Sequence, residues 1–209
     1  TVSGIVTATT GYSYYIQDGD GAWNGVYVYD DTNSPVVGDD VTVTATVSEY
    51  YGLTELTTVT VLTTNSSGNT LPNAVLVTTA DAGTEQYEGV LVSVENAECT
   101  AEPDQYGQWY VNSELQIDDS MYDGDAWSPV LGSMYDIVGI VDYSFDEYGL
   151  HPRSLDDITE ISSVNTLSGS LRLYPNPAST TLNVSCISNI TNISITNMIG
   201  QKVMNINNI

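Results

Sequence analysis

Residues 41 to 47 alternate without a break: Val41, Val43, Ala45 and Val47 are apolar, and Thr42, Thr44 and Thr46 stand between them. A period of two puts successive side chains on opposite faces, so this run predicts a strand with one face on a core and its threonines on water or a neighbouring strand. Thr, Val and Tyr dominate the chain, and the same period recurs along it. Turn signals punctuate the runs at Asp18-Gly19-Asp20-Gly21, Asn33-Ser34-Pro35, Tyr51-Gly52 and Asp123-Gly124-Asp125. No amphipathic helix of three turns is legible, and only Thr79 to Gln86 predicts a short helical turn. The pattern predicts an all-β protein.

The runs also repeat. A first set reads Gly4-Ile5-Val6, Tyr15-Ile16-Gln17-Asp18, Val37-Gly38-Asp39-Asp40-Val41 and Glu49-Tyr50-Tyr51-Gly52-Leu53. A second reads Gly89-Val90-Leu91-Val92, Leu115-Gln116-Ile117-Asp118-Asp119, Leu131-Gly132 through Ile137, and Asp146-Glu147-Tyr148-Gly149-Leu150, with longer loops before its middle strands. Each set supplies about five short strands, with a glycine in the first, where a small barrel bends sharply, and a Tyr-Gly turn before the last. The expectation is two helix-poor barrels over residues 1–62 and 72–161, joined by a linker at 63–71.

The order Gly-Ile, Tyr-Ile-Gln-Asp, Val-Gly-Asp-Asp-Val and Glu-Tyr-Tyr-Gly-Leu-Thr-Glu-Leu resembles the OB-fold modules attached to secreted bacterial nucleases. The stretch from Leu71-Pro72 to Thr78, with Glu85-Gln86-Tyr87-Glu88-Gly89, is similar to the opening of the second such module. The resemblance implies two OB-type barrels; the metal-dependent nuclease domain of those proteins has no counterpart here. Residues 162–170 read as a small polar linker. Beyond it, Leu171-Arg172-Leu173-Tyr174-Pro175-Asn176-Pro177, Thr181-Leu182-Asn183-Val184 and Ile193 through Gly200-Gln201-Lys202-Val203 closely resemble the C-terminal sorting domain of type IX secretion, with Tyr174, Pro175, Asn176, Pro177 and Gly200 as its motif residues. That resemblance implies export across the outer membrane of a Bacteroidota-type cell. Such domains run about twice as long, so residues 171–209 predict a partial β-sandwich, either truncated or covered along its open edge. Three alternating strands would leave Leu173, Leu182, Val184, Ile193, Ile195 and Val203 as an apolar face. A strand from a neighbouring copy, with Val2 to Val6 as the candidate donor, would complete it.

Charge narrows the function. The 209 residues carry 27 Asp and Glu against 3 Lys and Arg, a formal net charge of -24. All the acids lie at or before Glu160, whereas residues 161–209 hold Arg172 and Lys202 and no acid, a step that marks a module boundary. Nucleic-acid affinity comes largely from Lys and Arg displacing counterions, so nucleic acid is a disfavoured partner. No run of about 18 apolar residues predicts a membrane span. The start at Thr1-Val2-Ser3-Gly4-Ile5 lacks the basic and apolar regions of a signal peptide, so the chain reads as soluble and as processed or trimmed.

Candidate chemistry is sparse. His151 is the single histidine, and no Gly-x-Ser-x-Gly, His-Glu-x-x-His or second histidine accompanies it, so no enzyme and no catalytic residue is expected. Arg153 is placed to pair with Asp156 or Asp157. Asp18 and Asp20, with Asp118, Asp119, Asp123 and Asp125 in the equivalent longer loop, offer hard oxygen ligands for calcium, although neither loop has the EF-hand spacing and a solvated acidic turn is the simpler account. Otherwise no cofactor is expected. Tyr15, Trp23, Tyr27, Tyr29, Trp109, Tyr110 and Trp127 are the candidates for a ligand-stacking face, half of which alternation alone assigns to core. Asp119-Ser120-Met121 resembles the O-glycosylation pattern of Bacteroidota exported proteins, with Ser120 the acceptor. Cys99 and Cys186 permit one disulfide and demand none.

These residues predict an exported, non-enzymatic protein, secreted or at the cell surface, that binds an extracellular polysaccharide or protein or mediates adhesion. Its first partner is the type IX secretion machinery. Two alternatives remain: a self-associating structural, filament-type subunit, and the nucleic-acid-binding accessory region of a nuclease.

Overall fold

The computed structural model describes residues 1–122, 127–161, 172–174, 177–185 and 192–207. Asp123, Asp125, Pro175, Asn176, Cys186 and the linker at 162–170 lie outside the described residues. The chain divides into two compact units, Thr1–Ser162 and Ser163–Ile209.

The first unit contains two closed five-stranded barrels. Strands β1 (Val2–Thr10), β2 (Ser13–Gln17), β3 (Gly25–Tyr29), β4 (Asp40–Tyr50) and β5 (Leu53–Ser66) close in the order β1-β2-β3-β5-β4. All pairings are antiparallel except β3 with β5, which run parallel. The second barrel uses β7 (Leu91–Ala101), β8 (Trp109–Val111), β9 (Leu115–Ile117), β10 (Met134–Ser144) and β11 (Glu147–His151). It closes in the order β7-β8-β9-β11-β10, again with one parallel contact, β9 with β11. Short strands β6 (Val75–Leu76) and β12 (Ile158–Ile161) extend this sheet along β7 and β10. The expected all-β class and paired barrels are therefore present, and β5 runs on to Ser66. Among the described residues, helix is confined to α1 (Thr79–Ala82), capped by the Thr78 side chain, and to single 3-10 turns at Glu85–Tyr87 and Leu155–Asp157.

Two details of the sequence alignment are corrected. Tyr51-Gly52 forms the two-residue turn between β4 and β5, both residues with positive φ as the twist of a tight hairpin requires. Its counterpart between β10 and β11 is Phe145-Asp146, also with positive φ, whereas Tyr148-Gly149 lies inside β11. An aromatic-Asp pair satisfies the same geometry as Tyr-Gly, and that hid the correspondence. Gly89, aligned with Gly4 of β1, precedes β7 and belongs to the contact between barrels.

Each barrel has its own core. Alternation in β2 sends Tyr14 and Ile16 inward with Val6, Val28, Val41, Val43 and Leu56. The second core centres on Trp109, Tyr135, Ile137, Leu115 and Ile117. The opposite face of β2 is buried too, because Tyr15 packs with Ala8 against Leu91 and Ile140 of the second barrel. Polar contacts lock this seam. Leu91 N–H donates to Gln17 Oε1 at 2.8 Å, Trp23 N–H to Gln86 O at 2.7 Å, and Asn73 donates twice to the Asp20 carboxylate at 2.7 and 2.9 Å. At Gly25 a Cβ would stand 2.2 Å from the Gly89 carbonyl oxygen, and Gly89 itself adopts φ +72°. Backbone meets backbone there.

The second unit holds two antiparallel pairs among its described residues: β13 (Arg172–Tyr174) with β14 (Asn183–Ser185), and β15 (Asn192–Thr196) with β16 (Lys202–Asn207). Four strands replace the three expected, because the segment from Lys202 alternates strongly enough to pair with β15. Leu173, Leu182, Ile195 and Val203 are exposed as anticipated, while Val184 and Ile193 are partly covered. The N-terminal segment is not a free donor strand: Val2–Ile5 pairs with β4, and the rest of β1 pairs with β2.

Gly25→Ala is expected to force backbone apart at the seam and to lower unfolding stability by about 1–3 kcal/mol, the usual cost of overpacking, in a urea titration. Glu88 supplies a second test. It bridges the barrels by accepting from Thr54 N–H at 2.8 Å, its other oxygen is buried without a partner, and burial pushes its carboxyl up to about 7. The folded chain thus keeps a proton that the unfolded chain, with the ordinary value of 4.5, releases. This contribution to stability is complete below that value and is lost as pH rises through about 7. The melting temperature of the wild type should fall across that window more than that of Glu88→Gln.

Candidate functional site

The described residues enclose a cleft of about 920 Å3 between the two barrels. Its first wall is built by β2 and β3, which alternate to present Tyr15, Tyr27 and Tyr29, and by the β4–β5 turn, which adds Tyr50 and Tyr51. The second wall comes from the β10–β11 hairpin, with Asp142, Tyr143, Phe145 and Asp146, and from Ser120, Met121 and His151. The two hairpin turns bring their aromatic residues to the same mouth, where Tyr51 is 83% and Phe145 97% exposed. Gly52 abuts the Tyr143 ring, since a Cβ there would meet its Cε1 at 2.6 Å.

Ring packing gives these walls their shape. Tyr15 and Tyr27 lie 5.1 Å apart between centroids, Tyr50 and Tyr51 meet edge-on at 4.8 Å, and Tyr143 leans on Tyr148 at 4.6 Å. The buried Tyr15 hydroxyl donates to Asp142 Oδ1 at 2.8 Å, and Tyr27 donates to Ser13. Burial first, then the Asp142 charge, pushes the Tyr15 phenol well above its ordinary value, so it stays a donor. Glu55, Asp142 and Asp146 make the lining acidic, and no Lys or Arg lines it.

His151 ends β11 on the floor of the cleft and is 5% exposed. Its Nδ1 lies 2.8 Å from Ser120 Oγ and 3.8 Å from Asp118 Oδ1; its Nε2 lies 4.0 Å from Asp142 Oδ2 and has no hydrogen-bond partner. Burial opposes the Asp118 charge, but the His151 ring, the Gln108 amide and Ser120 outweigh it and hold that carboxyl below the ordinary range. Ser120 is an exposed residue of the cleft wall.

The remaining candidates are dispersed. Trp23 is exposed on the turn before β3, beside the seam. Trp109 is fully buried, packed edge-on against Trp127 and Tyr135. The Tyr110 hydroxyl donates to Glu147 at 2.9 Å in a network with Gln116. Asp18 is exposed, Asp20 is held by Asn73, and Asp118 is committed to Gln108, Ser120 and His151. Asp119 lies against Gly107 on the loop after β9. No group of three or more His, Cys, Asp or Glu residues able to hold a metal occurs among the described residues. Cys99 is a buried free thiol. Arg153 pairs with Asp157 through two bonds of 2.8 Å, closing the chain path into β12.

Sequence reasoning missed Tyr50, Tyr51, Tyr143, Phe145, Glu55 and Asp142 as members of one site. Exposed aromatics at two corresponding hairpin turns, where polar residues are usual, were the available signal. Tyr15→Phe should cost about 2 kcal/mol in denaturant unfolding, because it strips a charge-assisted bond from the seam. A parallel loss in Tyr27→Phe would be smaller, since its partner Ser13 is neutral.

No helix among the described residues is long and apolar enough to cross a membrane. No curated protein and no solved structure matches the chain. Residues 172–209 match the secretion system C-terminal sorting domain. This stretch carries Tyr174, Pro177 and Gly200, and its match to the type IX sorting domain marks the chain as an exported protein, secreted or held at the cell surface.

Proposed function

We propose that residues 1–162 form an extracellular binding module of two OB-type barrels that takes its ligand in the cleft between them, and that it acts without catalysis. The observation that carries this reading is the cleft itself: a volume in the range of small-molecule and side-chain sites, walled by seven aromatic rings, with three acids and one histidine beside its tyrosine phenols. The barrel order, with its single parallel contact, supports the OB reading, a closed Greek-key barrel whose ligand face lies on the second and third strands. Tyr15, Tyr27 and Tyr29 come from those strands. Ser120 and His151 touch at 2.8 Å, and we take this contact as positioning of the ring. Acidic walls weigh against the nuclease-accessory alternative.

The test is ligand-observed NMR with cellohexaose, chitohexaose, a lysine-containing peptide and single-stranded DNA. At least one of the first three should bind, and Tyr51→Ala with Phe145→Ala should weaken it about tenfold, the scale of losing stacked rings. Binding confined to DNA, or a double variant that binds as well as the wild type, overturns the reading.

The exposed apolar residues of β13 to β16 favour a second reading, self-association of the full chain. Light scattering separates the two, because a full chain that stays monomeric across a wide concentration range excludes assembly.

A further inference from the structure

Resting on the cleft as a ligand site, the geometry points to the class of ligand: we infer that it receives an organic cation, an ammonium or guanidinium group on an apolar stem, seated against the Asp142 carboxylate among the tyrosine rings.

Three independent features converge on this. The lining is anionic without a single Lys or Arg, so an anionic group entering it meets only repulsion from Glu55, Asp142 and Asp146. The walls are aromatic faces, which attract cations through the ring quadrupole and also cover an alkyl stem. The third feature is Asp142. Its Oδ1 accepts from the Tyr15 hydroxyl at 2.8 Å, while its Oδ2 has the buried, unpartnered His151 Nε2 4.0 Å away, beyond hydrogen-bond distance. Ammonium and guanidinium are donors only, and either can bond that oxygen. A neutral sugar hydroxyl also donates, but it leaves the three carboxylates uncompensated.

Lysine side chains and free diamines share this chemistry, and the experiment separates them. The full chain is titrated calorimetrically with acetyl-Gly-Lys-Gly-amide, with its norleucine isostere, with 1,5-diaminopentane and with cellohexaose. The lysine peptide should bind about tenfold more tightly than the norleucine peptide, and its affinity should fall severalfold as salt rises from low to physiological strength. Tighter binding of the diamine than of the lysine peptide assigns a free amine as the source; the reverse assigns a polypeptide side chain. Glu55→Gln and Asp146→Asn lie outside the Tyr15–Asp142 seam, so they keep the fold while weakening the cation severalfold and leaving the norleucine peptide unchanged. The 15N resonance of His151 Nε2 should move on addition of the cation. Equal binding of the two peptides, or a cation affinity indifferent to salt and to both variants, overturns the assignment. If cellohexaose binds the cleft and the cations do not, the binding module stands and the cation is wrong; if no probe binds, both fall.

Discussion

Gly25 and Gly89 meet backbone to backbone with no room for a Cβ on either side, and this contact fixes the distance between the two barrels. Everything on the seam follows from that distance. Gln17 reaches Leu91 N–H because its strand ends against the start of β7, and Tyr15 reaches Asp142 because its side of β2 faces β10. Glycine is needed here for closeness at Gly25 and for both closeness and a positive φ at Gly89. A separate linker between independent barrels would have left the Tyr15 face of β2 in water. Instead, β2 is buried on both faces.

The cleft is a by-product of the same closeness. Two barrels that touch along β2 and β7 diverge beyond Tyr15, and the space between them is filled from above by the β4–β5 and β10–β11 turns. Both barrels close in the same strand order, and their equivalent β4–β5 and β10–β11 turns line one cleft. Aromatic residues at those turns cost solvation energy and add nothing to either core, so their placement at a shared mouth is not explained by packing.

The fold was legible because alternation is a local signal. Val41, Val43 and Ala45 specified their strand and its inward face without reference to anything distant, and the Tyr51-Gly52 turn announced its hairpin; Val47, assigned by alternation to the same face, is 68% exposed because the pairing of β4 with β5 shifts register between Thr44 and Thr46. Alternation also correctly warned that Tyr15 and Ile16 point opposite ways. The site was much less legible, since its members meet only through the seam. Tyr27 and Glu55 share the first barrel, but Asp142 and His151 approach them across a contact determined by two glycines 64 positions apart in the numbering, Gly25 and Gly89. A list of tyrosines and tryptophans could not separate Trp109, buried at the centre of a core, from Tyr29 at a cleft wall. The turn Phe145-Asp146 was overlooked for a chemical reason: Asp tolerates a left-handed backbone as Gly does, so the Tyr-Gly pair three residues later drew the alignment away.

The charge step at Glu160 divides two recognition problems. Residues up to Glu160 hold every acid, and in the cleft that charge is concentrated between low-dielectric aromatic walls, where water screens it less than on an open surface. The sorting segment has no acid at all and exposes Leu173, Leu182, Ile195 and Val203, a surface suited to recognition by shape and apolar contact. The charge that fills the cleft is therefore absent from the segment that matches the sorting domain, so the two parts of the sequence differ in the chemistry they present.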